Sequence, residues 1–211
     1  MVATMGNAMK LLSTTRLSRA ALAALGILTL AGCVNLAPKA PEQLFRLTAE
    51  ESLKAGATAG GQLTDAIFVL DPETDRSLDV LRLPVRVDDS RVAYLQRAAW
   101  IEKPARQFRS LLAETLRARS GRLVVEGGDF EATGKTRLGG RLLQMGYDAP
   151  TGAVVVRYDA VMSTGEGGRE VATRRFEARV DGIEPKPKFV GPALNKAAND
   201  VARQVADWVK G

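Results

Sequence analysis

The sequence of 211 residues contains no histidine and only one cysteine. Without histidine there is no imidazole to act as a general base or to bind a metal, and neither a Cys–His pair nor a Ser–His–Asp triad can form. A single cysteine also excludes an internal disulfide. Hydrophobic residues make up 45% of the chain and charged residues 26%, which is ordinary for a folded globular protein. We therefore expect a folded protein that is neither a hydrolase nor a metalloenzyme and that uses no metal or other cofactor, although its carboxylates remain available for catalysis.

The sequence also lacks a hydrophobic run long enough for a permanent membrane-spanning helix. Its main apolar run, Ala20 to Leu30, has 11 residues, about half of the roughly 20 that a bilayer requires. Lys10, Arg16 and Arg19 precede this run, and no acidic residue accompanies them. A positive segment followed by a short apolar segment is typical of a secretory signal peptide, which is removed on export. We assign residues 1–32 to such a peptide.

The single cysteine lies at the end of this leader. Leu30, Ala31, Gly32 and Cys33 resemble the bacterial lipobox, in which small residues precede a cysteine that is acylated before the leader is cleaved. The alternative is a cysteine that stands there by coincidence. We expect Cys33 to carry fatty acyl chains such as palmitate, since multiple chains make a stable membrane anchor where one is marginal. Val34 follows at the position where, by resemblance to known lipoprotein sorting signals, an aspartate would favour inner-membrane retention, so we expect the outer membrane, facing the periplasm.

The basic character of the chain arises partly from the leader. Removing residues 1–32 removes three basic residues and no acidic one, so the basic count falls from 30 to 27 against 24 acidic residues. The net charge falls from +6 to +3 accordingly. This small excess gives little support to nucleic-acid binding, and we expect none.

The remaining sequence predicts a lipidated tether at 33–43 and a single domain at 44–211. The strand candidates lie at 44–47, 66–70, 78–87, 92–95, 123–125, 137–147, 154–161 and 171–180. Helical periodicity occurs at 104–119 and 192–209, with apolar residues on one face of each segment. This order predicts an α/β fold of the α+β type, in which two main helices cover one face of a mixed or antiparallel sheet.

Two motifs suggest ligand sites and fail on their spacing. Thr133–Thr136 resembles the end of a phosphate loop, but Asp129 stands where the first glycine is required. Asp71, Glu73 and Asp75 have calcium-loop spacing, but the required glycine and the closing glutamate are both missing. The Arg174–Arg175 pair could bind anionic head groups, although alternating charge on a strand usually marks its solvated face.

Three aromatic residues form the candidate partner interface: Tyr94, Trp100 and Trp208. Trp100 precedes the first predicted helix and Trp208 closes the second. Each tryptophan could anchor the core or the edge of a helix, or could lie in a binding patch, because aromatics are enriched at the centres of interfaces. An exposed sheet edge is the other candidate docking surface.

Several segments together resemble one protein family. They are Leu44–Leu47, Val80–Val85, Val92–Leu95, Ala99–Pro104 and the helical residues Asn195, Ala198, Asn199, Val201 and Ala202. A strand ending at a proline, a second strand, and a tryptophan–acid pair before a leucine-rich helix are similar to the ABC-type transport auxiliary lipoprotein family. The similarity extends over about 44–209. The family often has a tyrosine in its first strand, where this sequence has Leu44 and Phe45.

The resemblance implies a non-catalytic periplasmic component of an ABC transport system that uses an MCE-domain protein. Such systems move phospholipids or other hydrophobic compounds between the membranes, so the implied partners are the MCE protein and the permease–ATPase complex. The implied fold is similar to the amino-terminal domain of TolB. The alternative is a structural lipoprotein that serves envelope assembly without a transporter.

Overall fold

The computed structural model describes residues 43–127, 135–165 and 169–210. In this part of the chain, eight strands form one sheet and two α-helices accompany it. The strands are β1 (Gln43–Phe45), β2 (Ile67–Val69), β3 (Arg82–Arg86), β4 (Val92–Trp100), β5 (Val124–Glu126), β6 (Thr136–Asp148), β7 (Ala153–Thr164) and β8 (Glu170–Val180). The helices are α1 (Pro104–Ser120) and α2 (Pro187–Lys210), and short 3₁₀ turns occupy Leu63–Asp65 and Ala149–Thr151.

The sheet is mixed and is organised around the long strand β6. Along one side β6 pairs with β7 in antiparallel register, and β8 continues the sheet beyond β7. Along its other side β6 pairs with β2 and β3, both parallel to it. Beyond β2 lies β5, and beyond β3 lie β4 and then β1. The prediction of a mixed sheet with two main helices is confirmed. In the described residues β8 is the edge on one side of β6, and β1 and β5 are the edges on the other.

Both helices contribute to one hydrophobic core with the sheet. The apolar face of α2 is built largely of alanine and valine, and Ala197, Ala198 and Val201 are fully buried on it. In α1, Phe108 packs edge-to-face against Tyr158 of β7, with ring centroids 5.2 Å apart. Small residues on α2 allow the helix to approach the sheet closely, as its periodicity predicts.

Helix α1 begins and ends where the sequence predicts. Pro104 occupies the first turn, where its missing N–H costs no hydrogen bond. Gly121 ends the helix with φ 66°, a left-handed conformation that glycine adopts without strain.

Strand β3 differs from its prediction. The predicted strand began at residue 78, whereas β3 begins at Arg82 and contains Pro84 in the interior of the sheet. The pairing with β4 shifts between Arg82 and Pro84, and β6 pairs only with Val85 and Arg86. Because Pro84 lies outside the β6 ladder, its missing N–H leaves no ladder hydrogen bond unmade on that side.

Close approach of β3 to β6 depends on a glycine. A side chain at Gly146 would place its Cβ 2.3 Å from the carbonyl oxygen of Pro84. Since that atom belongs to the backbone, it cannot move aside without separating the two strands.

Two further boundaries are corrected. The predicted strand at 92–95 continues as β4 to Trp100, so Trp100 is the last residue of a strand. Helix α2 begins at Pro187, five residues before its predicted start. Pro187 suits a helix start, because the first turn needs no hydrogen bond from its nitrogen.

Helix α2 extends across the sheet from one edge to the other. Near its start, Gly191 faces the ring of Phe45 in β1. Near its end, the ring of Trp208 lies 5.6 Å from that of Phe176 in β8. Its 24 residues give a length of about 36 Å, which suits this crossing.

Candidate interaction surfaces

The predicted lipidation site lies outside the described residues. Cys33 and its lipobox residues Leu30, Ala31 and Gly32 precede Gln43, where the description begins. Lipidation therefore remains a prediction from the sequence. Within the described ranges, no helix combines the length and the apolar character needed to cross a bilayer, and no cluster of acidic or cysteine side chains could hold a metal ion.

Trp100 cannot form part of a docking surface in this structure. Its residue surface is only 1% exposed, and its ring packs edge-to-face against Phe45 with centroids 6.1 Å apart. Its indole Nε1 is buried without a hydrogen-bond partner among the described residues. The proposal of a surface at Trp100 is therefore corrected, and the core alternative applies. The cause is the extension of β4, which carries the residue inward.

Tyr94 and Trp208 are both partly exposed but lie on different parts of the sheet. Tyr94 is in β4, and the guanidinium of Arg82 stacks over its ring at 4.1 Å. Trp208 lies near the end of α2, against Phe176 of β8. The structure therefore does not join the three predicted aromatics into one patch.

Strand β8 forms an exposed edge of the sheet. Its residues 170–175 are all exposed, and Val171 is 63% exposed. The β7–β8 register runs without a shift over its whole length. In the described residues β8 pairs only with β7, so its outer side can accept a further strand.

One side-chain contact shows which backbone groups of β8 point outward. The carbonyl of Glu177 accepts a hydrogen bond from Gln204 Nε2 of α2 at 3.2 Å, so it faces away from β7. In an antiparallel pair the N–H and C=O of one residue point to the same side, and alternate residues point alike. The backbone groups of Val171, Thr173 and Arg175 therefore also face outward. Helix α2 occupies the edge at Glu177, which leaves 170–175 open.

Ion pairs order the sheet face that lies away from the helices. Arg175 donates two hydrogen bonds to Asp159, at 2.6 and 2.7 Å, and Arg157 Nε donates to Glu177 at 2.5 Å. The hydrogen bond from Arg175 is the main cause of the lowered pKa of Asp159, which stays ionised. Arg175 is thus held in an ion pair. This favours the interpretation of Arg175 as part of a solvated strand face over a role in binding anionic head groups.

Arg174 points to the other face of the same strand. Its guanidinium lies over the ring of Phe176 at 5.2 Å, and Phe176 in turn contacts Trp208. A positively charged group and an indole therefore flank one buried ring beside the open edge. The sequence could not reveal this arrangement, because Trp208 and Phe176 come together only through the crossing of α2.

The sequence is similar to that of one known protein family. A family model described as the ABC-type transport auxiliary lipoprotein component matches residues 45–206. No curated protein matches the sequence.

Two crystal structures show a similar fold. One is protein XCC0632 from Xanthomonas campestris, of family-model DUF330, with a TM-score of 0.62, 15% identity and coverage of 79% of this chain and 94% of the other. The second is described as an uncharacterized protein, with a TM-score of 0.59, 12% identity and coverage of 79% and 95%. At these identities the similarity supports the fold alone.

Proposed function

Because the chain belongs to the family of ABC-type transport auxiliary lipoprotein components, we propose that it serves an MCE-type ABC transport system for phospholipids or other hydrophobic compounds. Family membership makes it a lipoprotein component of a transport system, held at a membrane of the cell envelope. The finer proposal is that it is anchored in the outer membrane, faces the periplasm and has no catalytic role. The observation that carries this proposal is the family match over residues 45–206.

In this proposal, acylated Cys33 and the tether at 33–43 attach the domain at 44–211 to the bilayer. The ten residues from Cys33 to Glu42 extend to about 33 Å at most. The tether confines the domain to a thin layer beside the membrane. Confinement raises the effective concentration of the domain toward a partner in the same layer, so a weak docking contact is sufficient.

The open edge of β8 is the docking surface that we assign to the MCE partner. A strand of the partner adds to residues 170–175, where the outward backbone groups supply hydrogen bonds and Val171 supplies apolar contact. The full exposure of this segment supports the assignment. Trp208 lies beside the same edge through Phe176 and enlarges the surface.

The anchor can be tested by recovering partners of the tagged full chain from membranes. We expect Cys33→Ser to release the protein from the membrane fraction and to lower recovery of the MCE protein on the order of a hundredfold, since the effective-concentration gain is lost. Val34→Ala is the matched control, because it leaves the cysteine and the three preceding residues intact.

Mass spectrometry of the recovered material identifies the partners. Recovery of an MCE protein with its permease and ATPase supports the proposal. Recovery of envelope-assembly proteins alone, or undiminished MCE recovery from the Cys33→Ser protein, contradicts it.

A further inference from the structure

We propose that a groove between β1 and the first turns of α2 lies on the bilayer and binds anionic phospholipid head groups. This inference rests on the proposed acyl anchor at Cys33. It assigns a membrane-facing side to the domain at the edge opposite β8.

The groove has a volume of about 370 Å³, and at its base strand β1 packs tightly against helix α2. Its walls come from residues 43–46 of β1 and its continuation, and from one face of the start of α2. A Cβ at Gly191 would lie 2.6 Å from the ring of Phe45, so the glycine allows helix and strand to meet. The backbone N–H of Thr48 donates to Asn195 Oδ1 at 2.7 Å and fixes the two elements together.

The charge of the groove is positive. Among the residues that the structure describes, Arg46 and Lys188 line it and no acidic side chain does. Neither cation lies within salt-bridge distance of a carboxylate in the described part of the chain. Glu184, which pairs with Lys186 at 2.6 Å, attracts Lys188 only from a longer distance. The amino-terminal end of α2 adds the positive end of its helix dipole. Such a site is complementary to a phosphate-bearing surface.

Exposed apolar side chains accompany these charges. Leu44 in the groove wall is 62% exposed, and Phe189 on the first turn of α2 is 39% exposed. The Lys188 ammonium lies 4.5 Å from the Phe189 ring centroid. Basic and apolar side chains placed together are what an interfacial membrane contact uses, since the apolar groups enter the head-group boundary while the cations bind phosphates.

The position of the tether selects the bilayer as the occupant. The chain enters the described domain at Gln43, which is itself a lining residue of the groove. The acylated residue is ten positions upstream, so the groove is the surface of the domain nearest to the anchor along the chain. Each basic residue beside an anionic surface contributes about a fivefold gain in binding. The acyl anchor and the basic groove together hold β8 at the edge away from the membrane, where a periplasmic partner can reach it.

A single fluorescent label can test this contact on the lipidated full chain. Since Cys33 is the only native cysteine and is acylated in the anchored protein, Phe189→Cys introduces the one free thiol for an environment-sensitive dye. The protein is reconstituted in phosphatidylethanolamine vesicles with and without phosphatidylglycerol, and quenching by spin-labelled lipid is measured. Val171→Cys, on β8, is the matched control for an exposed apolar site.

We expect the label at position 189 to be quenched by lipid in the phosphatidylglycerol vesicles and the label at 171 to remain in water. Replacing both cations, Arg46→Ala with Lys188→Ala, should lower the ratio of membrane-bound groove to groove in water about 25-fold. Each of the two lost charges accounts for about fivefold. Sedimentation of the vesicles reports the acyl anchor separately, because an unanchored protein stays in the supernatant.

Three results would overturn the inference. The first is a label at 189 that stays in water although the protein sediments with the vesicles. The second is a label that is equally shielded in detergent without vesicles, which would show that the tether or a second copy covers the groove. The third is quenching that is unchanged by the double substitution. Failure to sediment would instead contradict the proposed anchor.

Discussion

Asp148 is a buried carboxylate at the end of β6, and its side chain is only 4% exposed. Burial by itself raises the pKa of this group. Hydrogen bonds from Arg86, at 2.6 Å, and from the hydroxyl of Thr151, together with the charges of Arg86 and Arg179, outweigh that effect. The pKa of Asp148 therefore lies below its ordinary value of 3.8, and the carboxylate joins β3, β6 and β8 through its arginines.

This network predicts a pH-dependent loss of stability on substitution. We expect Asp148→Asn to lower the free energy of unfolding at neutral pH by about 1–3 kcal/mol, because the arginine loses its charged acceptor. A carboxylate with a lowered pKa stabilises the fold above its unfolded pKa and ceases to do so as pH falls through the folded pKa. The difference between wild type and variant should therefore shrink below about pH 4.

Urea denaturation over a series of pH values measures this difference. Asp89→Asn is the matched control, since Asp89 contacts the same Arg86 at 3.0 Å but is fully exposed, and its unfolding midpoint should not change. A difference between Asp148→Asn and wild type that stays constant down to pH 3 would contradict the assignment of the effect to charge.

Strand β8 stabilises the sheet through one side and leaves the backbone groups of its other side open for pairing. One side of it completes the sheet with β7 over eleven paired positions. The other side presents alternate backbone groups over 170–175. An open edge of this kind can accept a strand from another chain, which is the docking that we propose for β8.

A proline on this edge can separate docking from folding. The backbone N–H of Thr173 faces away from β7, so Thr173→Pro removes an outward donor without breaking the β7 ladder. We expect this variant to lower MCE-partner recovery by at least about tenfold, which corresponds to roughly 1.4 kcal/mol. Its unfolding midpoint should remain near that of the wild type. Thr173→Ala keeps the donor and serves as the control; equal recovery of partner by both variants would rule out strand addition here.

At the scale of the whole molecule, two edges of the sheet, β1 and β8, have different chemistry and α2 connects them. The β1 edge carries Arg46 and Lys188 beside Gln43, where the described chain begins, whereas the β8 edge carries open backbone groups. Because α2 packs against both edges, it fixes their separation and their relative direction. A rigid domain with a membrane side and a partner side is what an adaptor at the envelope requires.

The hydrophobic core found in the described residues draws on both helices and most of the strands, so folding should not require the anchor. We expect Cys33→Ser, produced in soluble form, to unfold at the same urea concentration as the lipidated protein in detergent. Circular dichroism during denaturation checks this. A clearly lower midpoint for the serine variant would show that the acylated segment contributes to the fold.

Much of the fold could be predicted from local patterns. Helix α1 has a helical apolar period, an opening proline and a closing glycine, and these signals act within a few residues of each other. The pairs β6–β7 and β7–β8 follow from alternation and intervening turns, because neighbours in an antiparallel meander are also neighbours in the sequence. The predicted start of β3 at residue 78 is wrong, since alternation in the sequence does not show where a partner strand lies beside the chain.

The sequence alone determined the family, the absence of histidine chemistry and the order of helices and strands, because composition and short-range periodicity are properties of the chain itself. Only the tertiary structure decided that Trp100 is buried, that Trp208 contacts Phe176, and that β1, β5 and β8 are outer edges of the sheet. Exposure and edge position depend on contacts between residues far apart in the chain. The burial of one side chain is therefore set by the element that packs over it.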